Sequence, residues 1–171
     1  RSAAASRPED LADPRRTVAR VAALVAEGRS LAAVAAQLDA RRWQRFGRAV
    51  LLHNGPPTIG EQRRLVLINA GPRAVLAAFT AAEESGLRGW EREPVHVLVP
   101  GGAHVRRLPG IRTRVHYVGD WGEAGVRPGR EVQRIAPAVV LAASTFDRPR
   151  PAVGIVAAAV QQRLLRPRDL R

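Results

Sequence analysis

The sequence predicts an α+β fold in two parts, on three observations. Strand-like alternation is concentrated between Pro94 and Asp120, where Val95, Val97 and Val99 alternate with His96 and Leu98. A second run there sets Ile111, Thr113, Val115 and Tyr117 on one face and Arg112, Arg114 and His116 on the other. Elsewhere apolar residues recur mostly at helical spacing. Pro100-Gly101-Gly102 ends the first run and Pro109-Gly110 precedes the second. The two runs are expected to form an antiparallel hairpin packed on helices, its loop carrying Arg106 and Arg107. One face of such a hairpin suits helices, and the arginine face suits water or something acidic.

A chain of 171 residues supports one ordinary domain or two small ones. It contains no run of about 18 apolar residues, so neither a membrane span nor a membrane partner is expected. The opening RSAAASRPED lacks the apolar segment of a secretory signal. The absence of an initiating Met leaves open a processed piece of a longer chain. With no cysteine there are no disulfides and no thiolate metal ligands, which fits a cytoplasmic location. Net charge is +13, and all 28 basic residues are arginine. That charge favours nucleic acid, an acidic protein or an anionic surface. Arginines merely solvated and balanced by local acids are the plain alternative.

In chain order, residues 1–13 read as a flexible arm and residues 14–55 as a first module. Pro14 suits a first helical turn, and Val18, Val21, Leu24 and Val25 continue at helical spacing until Gly28. Ser30 is placed to cap a second helix whose buried stripe is Leu31, Val34 and Leu38. Trp43 to Phe46 and Ala49 to His53 read as two short strands joined at Gly47-Arg48. Helix, turn, helix and ribbon is the order of a winged helix-turn-helix. In such a module the second helix enters a DNA major groove. Gln37 is the base-reading side chain on its exposed face, beside Ala32, Ala33 and Ala36. Arg41, Arg42, Arg45 and Arg48 follow it and suit phosphate contacts.

Asn54-Gly55-Pro56-Pro57 marks a boundary, and residues 56–171 form the second part. Thr58-Ile59-Gly60-Glu61 is a capping box opening a helix to Asn69. Its Leu65-Val66-Leu67-Ile68 run is apolar all round, which implies a covered position. A further helix to Ser85 carries Val75, Phe79 and Ala82 on one stripe and ends at Gly86. After the organising hairpin, Gly119-Asp120-Trp121-Gly122 turns the chain, and Val126 to Ile135 reads as another short strand pair. Pro137 opens a helix ending near Phe146, and Pro149 and Pro151 break the chain. Val153, Val156, Val160 and Leu164 make a last amphipathic stripe, with Arg163 and Arg166 suiting its C-terminal end.

Most enzyme chemistry is excluded. A PD-(D/E)xK nuclease needs clustered carboxylates and usually a lysine, and the chain has no lysine. There is no Walker A sequence, no GxGxxG after a strand and no HExxH. Pro100-Gly101-Gly102 reads as a turn more readily than as a phosphate cradle. His96, His104, His116 and Asp120 share the hairpin region, where convergence on zinc is the alternative to ordinary surface or interface histidines, the reading that the lack of a ligand spacing favours. Ser144-Thr145 has no visible base partner. No cofactor, metal or catalytic residue is expected.

Three stretches carry a resemblance to a family. They are Arg42-Trp43-Gln44-Arg45-Phe46 to Gly55-Pro56, Gly71-Pro72-Arg73-Ala74-Val75-Leu76, and Pro94-Val95-His96-Val97-Leu98-Val99-Pro100. Together with Leu108-Pro109-Gly110-Ile111 and Ala136-Pro137-Ala138, they resemble the actinobacterial AbiEi-like proteins, relatives of type IV antitoxins. The resemblance implies a winged helix followed by an α/β domain, of the kind often followed by a Vsr-like endonuclease domain. This chain departs from the family pattern at Ala77-Ala78, where a Ser-His pair is usual. It departs again at Val139 and Ala143, where an Arg and an Asp are usual, and in its alanine-rich second helix. Relatives carry an extra helix first, for which only Pro8-Glu9-Asp10-Leu11 offers a substitute.

The expected function is a non-enzymatic DNA-binding regulator, resembling an antitoxin and autorepressor, that holds double-stranded DNA mainly by its phosphates. Arg106, Arg107, Arg112 and Arg114 make a second basic surface. The alternative is a protein-interaction scaffold docking an acidic partner, a toxin or a second copy as a homodimer. A further alternative is the front part of a Vsr-like endonuclease, suggested by the unfinished Arg166 to Arg171 end.

Overall fold

The computed structural model describes residues 13–170. The arm predicted at residues 1–13, Asp13 excepted, and the segment Pro8-Glu9-Asp10-Leu11 lie outside the described residues. Two compact units divide after Asn69. The capping-box helix thus groups with what precedes it. Helices and strands are mixed in both units, an α+β arrangement.

The first unit contains α1 (Pro14–Thr17), β1 (Val18–Arg20), α2 (Val21–Ala26), α3 (Leu31–Asp39), β2 (Gln44–Phe46), β3 (Ala49–Leu51) and α4 (Ile59–Ala70). The sheet order is β1-β3-β2, with both pairings antiparallel. The predicted first helix is therefore interrupted. Val18 pairs with Leu51 and Arg20 with Ala49, so the valine spacing that mimicked one helix is split by a strand. The reason lies in β3, whose three residues are fully buried. A buried strand must have main-chain partners on both sides, and β1 provides the second side.

Local signals agree better with the structure at α3 and α4. The Ser30 hydroxyl accepts the Ala33 N–H at 3.1 Å, as an N-cap should. Leu31, expected on the buried stripe, is instead 65% exposed, leaving Val34 as the buried residue of that helix. At α4 the capping box is complete. Thr58 N–H donates to Glu61 Oε2 at 2.8 Å, and Glu61 N–H donates to Thr58 Oγ1 at 3.3 Å. Leu65, Val66, Leu67 and Ile68 are all buried.

The second unit contains β4 (Val75–Leu76), α5 (Ala78–Glu84), β5 (Val95–Pro100), β6 (Thr113–Val118), α6 (Ile135–Ser144), α7 (Pro149–Gln161) and a 3-10 turn at Pro167–Leu170. Its sheet order is β4-β5-β6. Here the organising hairpin needs correction. β5 and β6 pair in parallel, with Val95 opposite Thr113 and Pro100 opposite Val118. Residues 101–112 return the chain to the start of the sheet, and a connection of about a dozen residues is what a parallel pair needs. A tight antiparallel turn needs far fewer. The antiparallel neighbour of β5 is β4.

Three further readings change. Val75 lies in β4, not in the helix that starts at Ala78. The segment from Val126 to Ile135 is no strand pair; it makes one isolated bridge, between Val132 and Leu76. Pro149 and Pro151 open α7, with Pro149 at its first position, where a missing N–H costs nothing. The buried stripe of α7 is Ile155 and Ala159, with Val153 turned to solvent.

Four alanines and five larger apolar residues make up the helical core of this unit. Ala78, Phe79, Ala82, Leu87, Val139, Ala142, Ile155, Ala159 and Leu165 form one buried cluster. Trp90 packs on its margin against Gly154, where an added Cβ would come within 3.1 Å of the indole. Ala77, Ala78 and Val139 are fully buried and Ala143 is half-buried.

Candidate functional site

Four of the eight exposed arginines described in the first unit lie on the β2–β3 ribbon and the turn before it, and Arg15, Arg16, Arg20 and Arg29 are the others. Arg41, Arg42, Arg45 and Arg48 are all exposed. Among the described residues no carboxylate pairs with any of them; Arg45 Nε donates to the Gly47 carbonyl at 3.2 Å. Gln37 is half-buried at the end of α3. Its main-chain carbonyl accepts the Arg42 and Trp43 N–H groups at 3.0 and 3.3 Å, which ties the end of the helix to the start of the ribbon.

The ribbon is held by residues that sequence reasoning missed. Asn69 is buried at the end of an apolar helix run. Its Oδ1 accepts the Arg48 N–H at 2.9 Å, while Nδ2 donates to the Phe46 and Leu65 carbonyls, each at 2.9 Å. One amide thereby clamps both sides of the Gly47 turn, where φ is +58°. A lone buried Asn in an otherwise apolar run was the available clue, since such a group must find partners. Gln44 Nε2 donates to the carbonyls of His53 and Gly55 at 3.2 and 2.6 Å. The Arg29 guanidinium lies 5.4 Å from the Trp43 ring centroid.

Beyond the ribbon in the chain, His53 and Glu61 form a carboxylate–histidine pair. His53 Nε2 lies 2.9 Å from Glu61 Oε1, and His53 Nδ1 accepts the Gly55 N–H at 3.1 Å. An accepting Nδ1 makes Nε2 the protonated nitrogen, so His53 donates to Glu61 and keeps no free lone pair. Burial by itself would raise the Glu61 pKa. The nearby Thr17 hydroxyl and the hydrogen bonds from the Thr58 N–H, His53 and the Thr58 hydroxyl outweigh it and hold the value at about 2. The Thr17 hydroxyl is buried and forms no hydrogen bond of full geometry among the described residues. With both partners tied up in this way, the pair fastens a loop and cannot serve as a general base.

In the second unit Arg106, Arg107, Arg112 and Arg114 are exposed. Leu108 bridges to Ile111 across the Pro109-Gly110 turn, which puts Arg107 and Arg112 on the two flanks of one turn. Arg112 lies 3.7 Å from Glu93, both side chains about three-quarters exposed, and such a pair contributes little.

His116 shares the Arg114 face of β6 by alternation, but its ring is half-buried against a neighbour and not presented to solvent. Its Nε2 lies 2.9 Å from Nδ1 of the buried His96, and the rings stack at 5.2 Å. Burial, then the neighbouring His116 and Arg114, lower the His96 pKa to about 4; burial and Arg114 lower that of His116. Both rings are therefore neutral at pH 7, one donating to the other. Thr80 Oγ1 accepts the His96 N–H at 2.9 Å, Phe79 meets the ring edge-on, and Arg92 lies over Phe79 and Phe146. His104 is exposed on the crossover, and Asp120 caps its own turn through the Gly122 and Glu123 N–H groups. The four residues thus do not converge, and among the described residues no group of three or more His, Cys, Asp or Glu could hold a metal ion. Nor, among the described residues, is any helix long and apolar enough to cross a membrane.

No protein-family model matches the chain, and no curated protein matches it.

Proposed function

We propose that the first unit binds double-stranded DNA through phosphate contacts, as a non-enzymatic regulator. The observation that carries this reading is the set of four exposed arginines with no acidic partner among the described residues, on and just before a ribbon clamped by Asn69. The element order, helix–strand–helix–helix–strand–strand with sheet order β1-β3-β2, supports a winged helix-turn-helix with β2–β3 as the wing.

Arg41 adds independent support. It occupies φ +53° directly after α3, where glycine carries no steric penalty. A side chain kept at such a position favours a role for the side chain itself. The exposed face of α3 offers alanine, so affinity rests on charge, with Gln37 the one base-reading candidate. The resemblance to AbiEi-like proteins suggests an autorepressor of the antitoxin kind as the biological setting.

The test is a duplex-DNA titration across salt concentrations. Four phosphate contacts give a log–log slope of about −3.6, and Arg42→Ala with Arg45→Ala reduces its magnitude by about 1.8. An unchanged slope in the double variant removes the ribbon from DNA binding.

A further inference from the structure

The sheet of the second unit has one closed edge and one open edge. At the closed edge the Leu76 N–H donates to the Glu131 carbonyl at 2.7 Å, and the Gln133 N–H donates to the Leu76 carbonyl at 2.9 Å. At the other edge lies β6. The Val95 and Gly101 N–H groups bond the Arg112 and Val118 carbonyls, each at 2.9 Å, so the even-numbered residues direct their main-chain groups toward β5. By alternation, Thr113, Val115 and Tyr117 direct theirs outward. None of these three has a main-chain partner on that side among the described residues.

An unpaired edge of six residues is a template for another strand, and charged side chains decide which strand is admitted. Arg112 and Arg114 are exposed on one face of β6, Tyr117 is 60% exposed on the other, and no acid lies within the strand. A second copy would crowd four guanidinium groups onto one short ribbon, between chains that each carry +13. An acidic strand meets no such crowding, and it competes for Arg112 only with Glu93, an exposed partner at 3.7 Å.

The geometry points to β-strand addition: β6 accepts an extended segment of a partner protein in which acidic residues alternate with apolar ones. The acids lie opposite Arg112 and Arg114, within reach of Arg106 and Arg107 on the adjoining turn. The apolar residues lie beside Val115 and Tyr117. This surface belongs to a different unit from the ribbon and stands whether or not the ribbon binds DNA.

The probe is a labelled, end-blocked peptide of alternating Glu and Val, read by fluorescence anisotropy on the full chain. A Lys/Val peptide and a Glu/Val peptide N-methylated at alternate residues serve as controls. The expected result is saturable binding of the Glu/Val peptide alone, weakened about tenfold by Arg112→Ala with Arg114→Ala. Val115→Pro removes an outward N–H without touching the β5 ladder and is expected to abolish binding. If that variant fails to fold by circular dichroism, the N-methylated peptide still tests the main-chain bonds. Equal binding of the methylated or Lys/Val peptide, or no effect of the arginine double variant, overturns the proposal. Displacement of the peptide by duplex DNA overturns it too, assigning these arginines to nucleic acid. Arg42→Ala with Arg45→Ala leaves peptide binding unchanged, which keeps this test separate from that of the ribbon.

Discussion

His96 and His116 share a single hydrogen bond between their rings, 2.9 Å long, across two parallel strands. A second proton on either ring would set two cations together beside Arg114. The unfolded chain takes up that proton near pH 6.5, whereas buried His96 resists it down to about 4. Between those values the unfolded state binds more protons, so stability rises with pH. The second unit is expected to lose about 3 kcal/mol on going from pH 7 to pH 4. Denaturant titrations followed through Trp90 and Trp121 measure it, and His96→Phe flattens the dependence.

Glu61 sets a different window in the first unit. Its pKa falls from 4.5 to about 2, so its stabilisation is full above pH 4.5 and disappears as pH falls through 2. Acid titration is expected to disturb Trp90 and Trp121 before Trp43. Glu61→Gln removes the lower window and costs about 2–3 kcal/mol at pH 7, because Thr58 and His53 lose a charged acceptor. Coincident acid transitions for all three tryptophans contradict this order.

Asn69→Ala leaves the Arg48 N–H and the Phe46 carbonyl without their partner. A loss of about 2 kcal/mol is expected. Amide exchange should quicken at Phe46 to Arg48 more than at α3. Uniform protection across the first unit would show that the clamp is not what orders the ribbon.

Arg41 and Arg163 both have positive φ, +53° and +60°, each just past the end of a helix. Glycine at either position is expected to add about 1 kcal/mol of stability. Only Arg41→Gly should also weaken DNA binding. Equal DNA affinity in the two variants argues that Arg41 is incidental.

Gly125 combines φ +69° with a close neighbour, because a Cβ added there would collide with the Pro137 ring at the start of α6. Gly125→Ala is expected to destabilise the second unit by about 3 kcal/mol or more, since backbone strain and overpacking act together. Thermal melting measures it, with Gly129→Ala, open in space, as the milder comparison.

Local rules made part of this fold readable from residues alone. Ser30 and the Thr58–Glu61 pair announced their helices because a cap acts within three or four positions. The β2–β3 ribbon was legible because Gly47-Arg48 punctuates it. What escaped was decided at long range. Val18 joins a strand because β3, some thirty residues on, needs a second neighbour. Alternation in β5 and β6 gives their faces but not their relative direction, which depends on the path of the crossover. The ribbon arginines were visible as residues. The Asn69 clamp and the His96–His116 bond were not, because each joins positions about twenty residues apart.

Gln133 has a consequence for how the second unit comes off the ribosome. Its side chain accepts the Ala78 N–H at 3.2 Å, at a residue held at φ +47°, and donates to the Ala124 carbonyl at 2.8 Å. A nascent chain that has delivered β4, α5 and β5 therefore still lacks the side chain that accepts the Ala78 N–H. That group is synthesised some fifty residues after Ala78, and until it arrives the outer edge of β4 also lacks the Glu131 carbonyl and the Gln133 N–H that close it.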